Sequence, residues 1–299
     1  MITVIGSVNM DLVVNLPEIP RVGETVNGGT FLQNPGGKGA NQAVAAAKLG
    51  SDVHFIGCLG DDGFGTELRE KLHSAGVHTD GLETAENCSS GIALIQVDSH
   101  GRNNIAVASG ANYAVTKETI DRHVNLLAKK DIAVFQLEIL MDVNRYAMQK
   151  AREAGCTVIL NPSPVAELTP DIFANVDVMV PNEHELARIT GLPCETEEQV
   201  LAAARVLQSR GVSTVVVTLG EKGAMYVTET AHALLPAFRV KAVDTTAAGD
   251  AFLGGFAHAY EKTRDVAEAV RLGQKVASIA VQRPGAQQSM PTAAELAEA

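Results

Sequence analysis

In Asp244-Thr245-Thr246-Ala247-Ala248-Gly249-Asp250-Ala251-Phe252, an acidic, hydroxyl-bearing turn runs into small residues that open a helix, continued by Leu253, Phe256 and Ala259. Backbone N–H groups converge at such a helix start, and a carboxylate, Asp250, projects beside them, which makes an anion hole with a base. Phosphoryl transfer to an alcohol needs both parts, one to hold phosphate charge and one to accept the hydroxyl proton. Taken alone, the stretch suits a capped helix packed on small residues equally well.

Upstream of it, strand and helix patterns alternate. Strands are predicted over 132–137, 158–160, 176–180 and 215–219, and helices over 143–154, 182–189 and 197–210. Two long helices follow, over 248–260 and 266–281. Such alternation predicts an α/β fold, a three-layer core in which a mostly parallel sheet carries helices on both faces. Ligands of such sheets bind beyond the carboxyl ends of the strands. Asp11, Glu138, Asn182, Glu185, Thr218 and Gly220 all fall there. Each has a plainer reading: Glu138 as a helix cap, Glu185 as a solvent-facing helix residue, 218–223 as a hairpin turn. Glu183 and Glu185 suit a water-mediated Mg²⁺ site, since that ion keeps most of its hydration.

The first strand, Ile2 to Ile5, leads to Asn9 and Asp11 at alternate positions, which places both on one side where they can hold a polyol's hydroxyls. An Asx turn is the plainer alternative. Weak strands within about 13–33, and a hairpin of 91–97 with 104–108, predict a small β-sheet lid needing a partner, either the main domain or a second subunit. Between them, Asn34-Pro35-Gly36-Gly37-Lys38-Gly39-Ala40-Asn41 opens a regular helix over 42–49. Its paired glycines allow close approach of a ligand to the backbone. Neither GxxxxGK[ST] nor GxGxxG is present, which disfavours a P-loop and a nicotinamide-dependent dehydrogenase.

Composition bounds the rest. The 299 residues suit a single large α/β domain over 1–299 with lid strands within about 13–33 and 90–109, and 46% apolar residues suffice for its core. A net charge of −11 excludes nucleic acid as partner, while backbone amides and a divalent ion can still hold a nucleotide. Cys58, Cys88, Cys156 and Cys194 form no metal spacing and read as reduced, mostly buried thiols. With no leader-like stretch after Met1 and no run long enough to cross a bilayer, a cytoplasmic protein without membrane contact is expected. His54, His73, His78, His123, His184, His232 and His258 are scattered and taken as surface or core residues.

Gly36-Gly37-Lys38-Gly39-Ala40-Asn41-Gln42-Ala43 and Asp244 to Asp250 together resemble the two signatures of the ribokinase-like sugar kinases. Their order, the intervening Asn182-Glu183-His184-Glu185 and Thr218-Leu219-Gly220, and Arg283-Pro284-Gly285-Ala286 after them match across essentially the whole chain. The resemblance implies ATP-dependent phosphorylation of the 5-hydroxyl of D-ribose under a lid that often pairs two subunits into a homodimer. It implies Asp250 as general base and the amides of Ala247, Ala248 and Gly249 as anion hole. Asn9, Asp11, Gly37, Lys38, Asn41 and Glu138 would hold the sugar, and Asn182, Thr218, Gly220, Gly223 and Gln274 the nucleotide. Glu185 belongs to the motif tied to Mg²⁺, and a monovalent cation such as K⁺ would sit among Asp244, Thr246, Ala280, Arg283, Gly285 and Ser289. One departure is Ala247, where many relatives have Gly; its Cβ is expected to oppose positive φ while its N–H survives. Deoxyribose, another sugar or a nucleoside is the alternative substrate, though 4% aromatic residues offer little for a base pocket. A non-catalytic sugar-binding regulator is disfavoured by the intact Asp250.

Overall fold

The computed structural model describes residues 1–127 and 131–298. Its central sheet contains β1 (Ile2–Ile5), β4 (Val53–Gly60), β5 (Val77–His78), β6 (Leu82–Ala85), β9 (Ile132–Phe135), β10 (Thr157–Leu160), β11 (Val178–Met179), β12 (Thr214–Thr218), β13 (Ala224–Val227) and β14 (His232–Leu235). The order is β14-β13-β12-β11-β10-β9-β1-β4-β5, with β6 also on β4. All pairings from β5 to β12 are parallel, and β12-β13-β14 close the far edge as antiparallel hairpins.

Period-2 alternation divides the strands between two cores. Ile2, Val4, Ile132, Val134 and Val216 pack with the helices Lys38–Lys48, Ala248–Thr263 and Val266–Ala280 on one face. Ile5, Ala133, Phe135, Val215 and Val217 pack with helices Met141–Glu153 and Glu197–Ser209 on the other. That is the three-layer arrangement expected from the alternating β-branched runs.

On the first face, two helices approach almost to backbone contact. A Cβ at Gly254 would lie 2.3 Å from the Ala45 Cβ and 2.9 Å from the Gln42 carbonyl oxygen. Only glycine opposite alanine permits this spacing, and it joins the helix bearing Asp250 to the one bearing Asn41 and Gln42.

A separate sheet, β3-β2-β7-β8, is built from β2 (Asn9–Asn15), β3 (Thr30–Gly36), β7 (Gly91–Val97) and β8 (Asn103–Ala108). The predicted lid hairpin is present as β7-β8. Three differences from expectation lie close to the site. Asn9 and Asp11 stand on a lid strand of their own rather than at the tip of β1, because the chain leaves the central sheet at Gly6-Ser7-Val8, buried throughout, and enters the second sheet. The helix predicted from Gln42 starts at Lys38, capped by Gly37 in a conformation closed to other residues, φ 87° and ψ 130°. Residues 16–29 form no strand, as their prolines and glycines dictate.

Candidate active site

The lid strand and the core meet at residues 9–11 and 36–42. Asn9 is buried, and its Oδ1 accepts from Asn112 Nδ2 at 2.7 Å, while Asn112 Oδ1 accepts from the Val8 N–H at 2.9 Å. Asn112 thereby fixes the Asn9 amide with its own NH₂ left to donate. Nothing in the sequence singled out Asn112, which lies a hundred residues away in a short 3₁₀ turn. Asp11 lies against Gly36, where a Cβ would come 2.3 Å from Asp11 Oδ2. Glu138 accepts from Ser7 Oγ, and from the Lys38 N–H at 3.1 Å. It ties the loop after β1 to the start of the Lys38 helix, and so does cap a helix, though not one next to it in sequence.

Asp250 is 7% exposed. Asn41 Nδ2 donates to its Oδ2 at 3.0 Å and Gln42 Nε2 to its Oδ1 at 2.8 Å. Gln42 is in turn held by Gln136, whose Nε2 donates to Gln42 Oε1 at 2.6 Å. Sequence reasoning passed over Gln42 and Gln136, although Gln42 adjoins Asn41 in the glycine-rich signature. Asn41 Oδ1 is buried without a hydrogen-bond partner among the described residues, an acceptor suited to a ligand hydroxyl.

Charge is concentrated here. Burial raises the pKa of Asp250, against the pull of Lys38 and the two amide hydrogen bonds. Burial works against the Lys38 ammonium as well, but the Asp250, Glu138 and Glu185 carboxylates outweigh it and its pKa is raised. Burial pushes the Asp11 carboxyl up to about 7, helped by Glu138 and Asp250.

A pH dependence follows. Since the Asp11 pKa lies near 7 in the folded chain against 3.8 for the free group, the folded state binds this proton more tightly. Its contribution to stability is therefore present below about 4 and lost as pH rises to about 7. Asp11→Asn is expected to flatten that slope and raise the melting temperature at neutral pH. Thermal unfolding against pH checks it; an unaltered slope in the variant would refute the assignment.

The helix Ala248–Thr263 starts without a side-chain cap. Contrary to expectation, Ala247 itself adopts the left-handed conformation, φ 57° and ψ 17°, at a cost of about 1–2 kcal/mol. The Ala248 N–H is turned to the Thr245 carbonyl at 3.2 Å, whereas among the described residues those of Ala247 and Gly249 have no protein acceptor. Two open amides thus stand at a helix N-terminus beside the Asp250 carboxylate. Lys38, Asn161, Ser163, Asn182, Glu185 and Thr218 line the same recess of about 200 Å³.

From there a larger cleft of about 640 Å³ runs past Asn182, Thr218, Gly220, Gly223 and Gln274, with Phe238, Val240 and Val281 as apolar wall. Gln274 Nε2 donates to the Leu235 carbonyl at 2.8 Å, which anchors the side chain at the cleft's edge. Asn182 and Glu185 form a reciprocal capping box, Glu185 Oε2 accepting from the Asn182 N–H and Asn182 Oδ1 from the Glu185 N–H, both at 2.8 Å. Glu185 is buried at 9% exposure, so the solvent-facing alternative falls, and its second oxygen remains available to a hydrated ion.

Behind the helix start, Asp244 links Thr246 and Gly285, and the Arg283 N–H donates to the Ala280 carbonyl at 3.0 Å. Asp244 accepts from the Thr246 N–H on one oxygen and from the Gly285 N–H on the other, each at 2.9 Å. Burial opposes the Asp244 charge, but these bonds prevail and hold its carboxyl below the usual range. The Arg283 guanidinium pairs with Glu295 at 2.8 Å, and the Ser289 hydroxyl donates to the Ala286 carbonyl at 2.7 Å. Among the described residues no disulfide joins the cysteines; Cys58 and Cys156 are buried and Cys88 and Cys194 partly exposed. No described helix is long and apolar enough to cross a membrane.

A family model described as pfkB family carbohydrate kinase matches residues 1–293. The chain is 38% identical over 297 residues to a ribokinase of Haemophilus influenzae, covering 99% of this chain and 97% of that protein. To a deoxyribokinase of Salmonella typhi it is 41% identical over 292 residues, covering 97% and 95%. Its fold matches the structure of Arabidopsis thaliana ribokinase complexed with ribose and ATP at a TM-score of 0.94 and 33% identity, with 99% and 97% of the two chains covered.

Proposed function

The chain belongs to the pfkB family of carbohydrate kinases, and on that premise we propose that it transfers the γ-phosphoryl group of ATP to the 5-hydroxyl of D-ribose. The observation that carries this reading is the buried Asp250, aligned by Asn41 and Gln42 at a helix start whose Ala247 and Gly249 amides are open. Asp250 takes the hydroxyl proton, the oxygen forms its bond to the γ-phosphorus, and the bond to ADP breaks. The two amides hold charge on the phosphoryl group, with Lys38 beside them. Asn9, Asp11, Gly37, Asn41 and Glu138 seat the sugar, and the larger cleft takes the nucleotide. We read the chain as one domain with its lid; closure of the lid sheet excludes the water that would compete as acceptor.

Two ions complete the reading. Glu185 fits a water-mediated Mg²⁺, which neutralises phosphate charge when bound. The ionised Asp244 and the carbonyls near it fit K⁺, which would set the geometry of the anion hole without touching substrate. The outer lid exposes Phe31, Leu32, Leu94, Ile105 and Val107, each at least half exposed. Such a cluster suits a homodimer through the lid; a monomer in sedimentation at assay concentration would refute it. A cytoplasmic setting suits both ATP and cysteines that form no disulfide.

Deoxyribose is kept as a second reading because a deoxyribokinase shares 41% identity with this chain. The two differ by one hydroxyl, whose absence leaves a polar partner unpaired at about 1–3 kcal/mol, or roughly tenfold to a hundredfold in kcat/KM. ADP release with ATP·Mg²⁺ over ribose, 2-deoxyribose, other pentoses, fructose and nucleosides, with and without K⁺, tests both. A ribose preference that rises with K⁺ is expected; a 2-deoxyribose preference transfers the assignment to the second reading.

A further inference from the structure

At the opposite end of the strands from the cleft, the start of β4 and the edge strand β5 bring Asp52, His54 and His78 together. Asp52 and His54 are two residues apart at a strand start and so share a face. His78 stands beside His54 in the parallel register. The two imidazoles stack with centroids 4.5 Å apart and 20° between their planes. Asp52 Oδ1 lies 3.0 Å from His78 Nε2 and 3.7 Å from His54 Nε2. Among the described residues this is the one group of three His, Cys, Asp or Glu whose ligand atoms all fall within 4.8 Å of one another.

We propose that Asp52, His54 and His78 form a binding site for a divalent transition-metal ion of the zinc class, separate from phosphoryl transfer. A tetrahedral ion with bonds of about 2.0–2.1 Å holds its ligand atoms about 3.4 Å apart. Two edges of the triangle are already close to that spacing. The third closes by rotation of the His78 side chain, which is 52% exposed, against His54, which is 16% exposed and fixed in the sheet. Two imidazole nitrogens with one carboxylate oxygen select Zn²⁺, Co²⁺ or Ni²⁺ over Mg²⁺ and K⁺, which prefer all-oxygen shells.

A fourth position is left to water. Bound there, the ion ties the two-residue strand β5 to β4, an edge otherwise held by few main-chain hydrogen bonds.

The test uses the full chain in buffer containing Mg²⁺ and K⁺, titrated with Co²⁺ by visible absorption and with Zn²⁺ by calorimetry. One ion per chain is expected, with Co²⁺ d–d bands and no thiolate charge-transfer band. His78→Ala and Asp52→Asn, both at exposed positions, should weaken binding by about tenfold or more and leave metal-free melting temperature and sugar-kinase turnover unchanged. Absence of stoichiometric binding would overturn the proposal. So would a thiolate band, or equal affinity in His78→Ala, either of which moves the ion elsewhere.

Discussion

Asp250→Ala and Asp250→Asn are each expected to lower kcat by about 10²–10⁴ or more, with the sugar dissociation constant moved only a few fold. Asparagine fits the space but turns an NH₂ group toward either Asn41 Nδ2 or Gln42 Nε2, where the carboxylate accepts from both. The lost bond costs about 1–3 kcal/mol, offset by removal of a buried charge that burial alone disfavours. Both variants should therefore fold. Single-turnover ADP formation and calorimetric sugar binding separate chemistry from affinity, and wild-type kcat in either variant refutes the general-base assignment. Because burial raises the Asp250 pKa, the acid limb of the wild-type kcat/KM profile should lie above the ordinary carboxylate range.

Gly37→Ala is the second substitution with a large expected effect. A Cβ there would lie 2.8 Å from the Asn9 nitrogen and 2.9 Å from the Ser7 oxygen and the Val8 Cα, at φ +87°. Every one of these neighbours is backbone, so no flexible side chain can yield. A destabilisation of about 3 kcal/mol is expected, and the shift falls on the segment carrying Asn9 and on the first turn carrying Lys38. Sugar KM should rise steeply while nucleotide affinity holds, because the cleft proposed for the nucleotide is lined by residues 182–281. Thermal unfolding with separate sugar and nucleotide titrations measures both parts, and wild-type stability would contradict the geometry.

The large α/β frame could be read from the sequence because β-branched runs and amphipathic helices alternate over whole elements. The two candidate stretches stood out because glycine and acidic residues cluster within a few positions, but each alone suited a plain helix start equally well, and their reading as a site rested on the family resemblance. What escaped was carried by contacts distant in sequence. Asn112 reaches Asn9, and Gln136 reaches Gln42, across about a hundred positions, and no local pattern announces a buried amide. The antiparallel β13 and β14, Ala-Met-Tyr-Val and His-Ala-Leu-Leu, lack the β-branched run that marks β1 at the same length. Ala247 went astray for a different reason: intrinsic preference opposes positive φ at alanine, yet the surrounding turn imposes it.

The contact between Gly254 and Ala45 bears on how such an enzyme can change its diet. Because the helices carrying the base and its two amide donors touch through a hydrogen and a methyl group, that half of the pocket behaves as a single casting with nothing adjustable inside it. Asn9 and Asp11 ride on a strand that branches away from it. Mutational libraries seeking new acceptor sugars should accordingly find their survivors along residues 9–15 and 91–97, and lose nearly everything that touches the glycine.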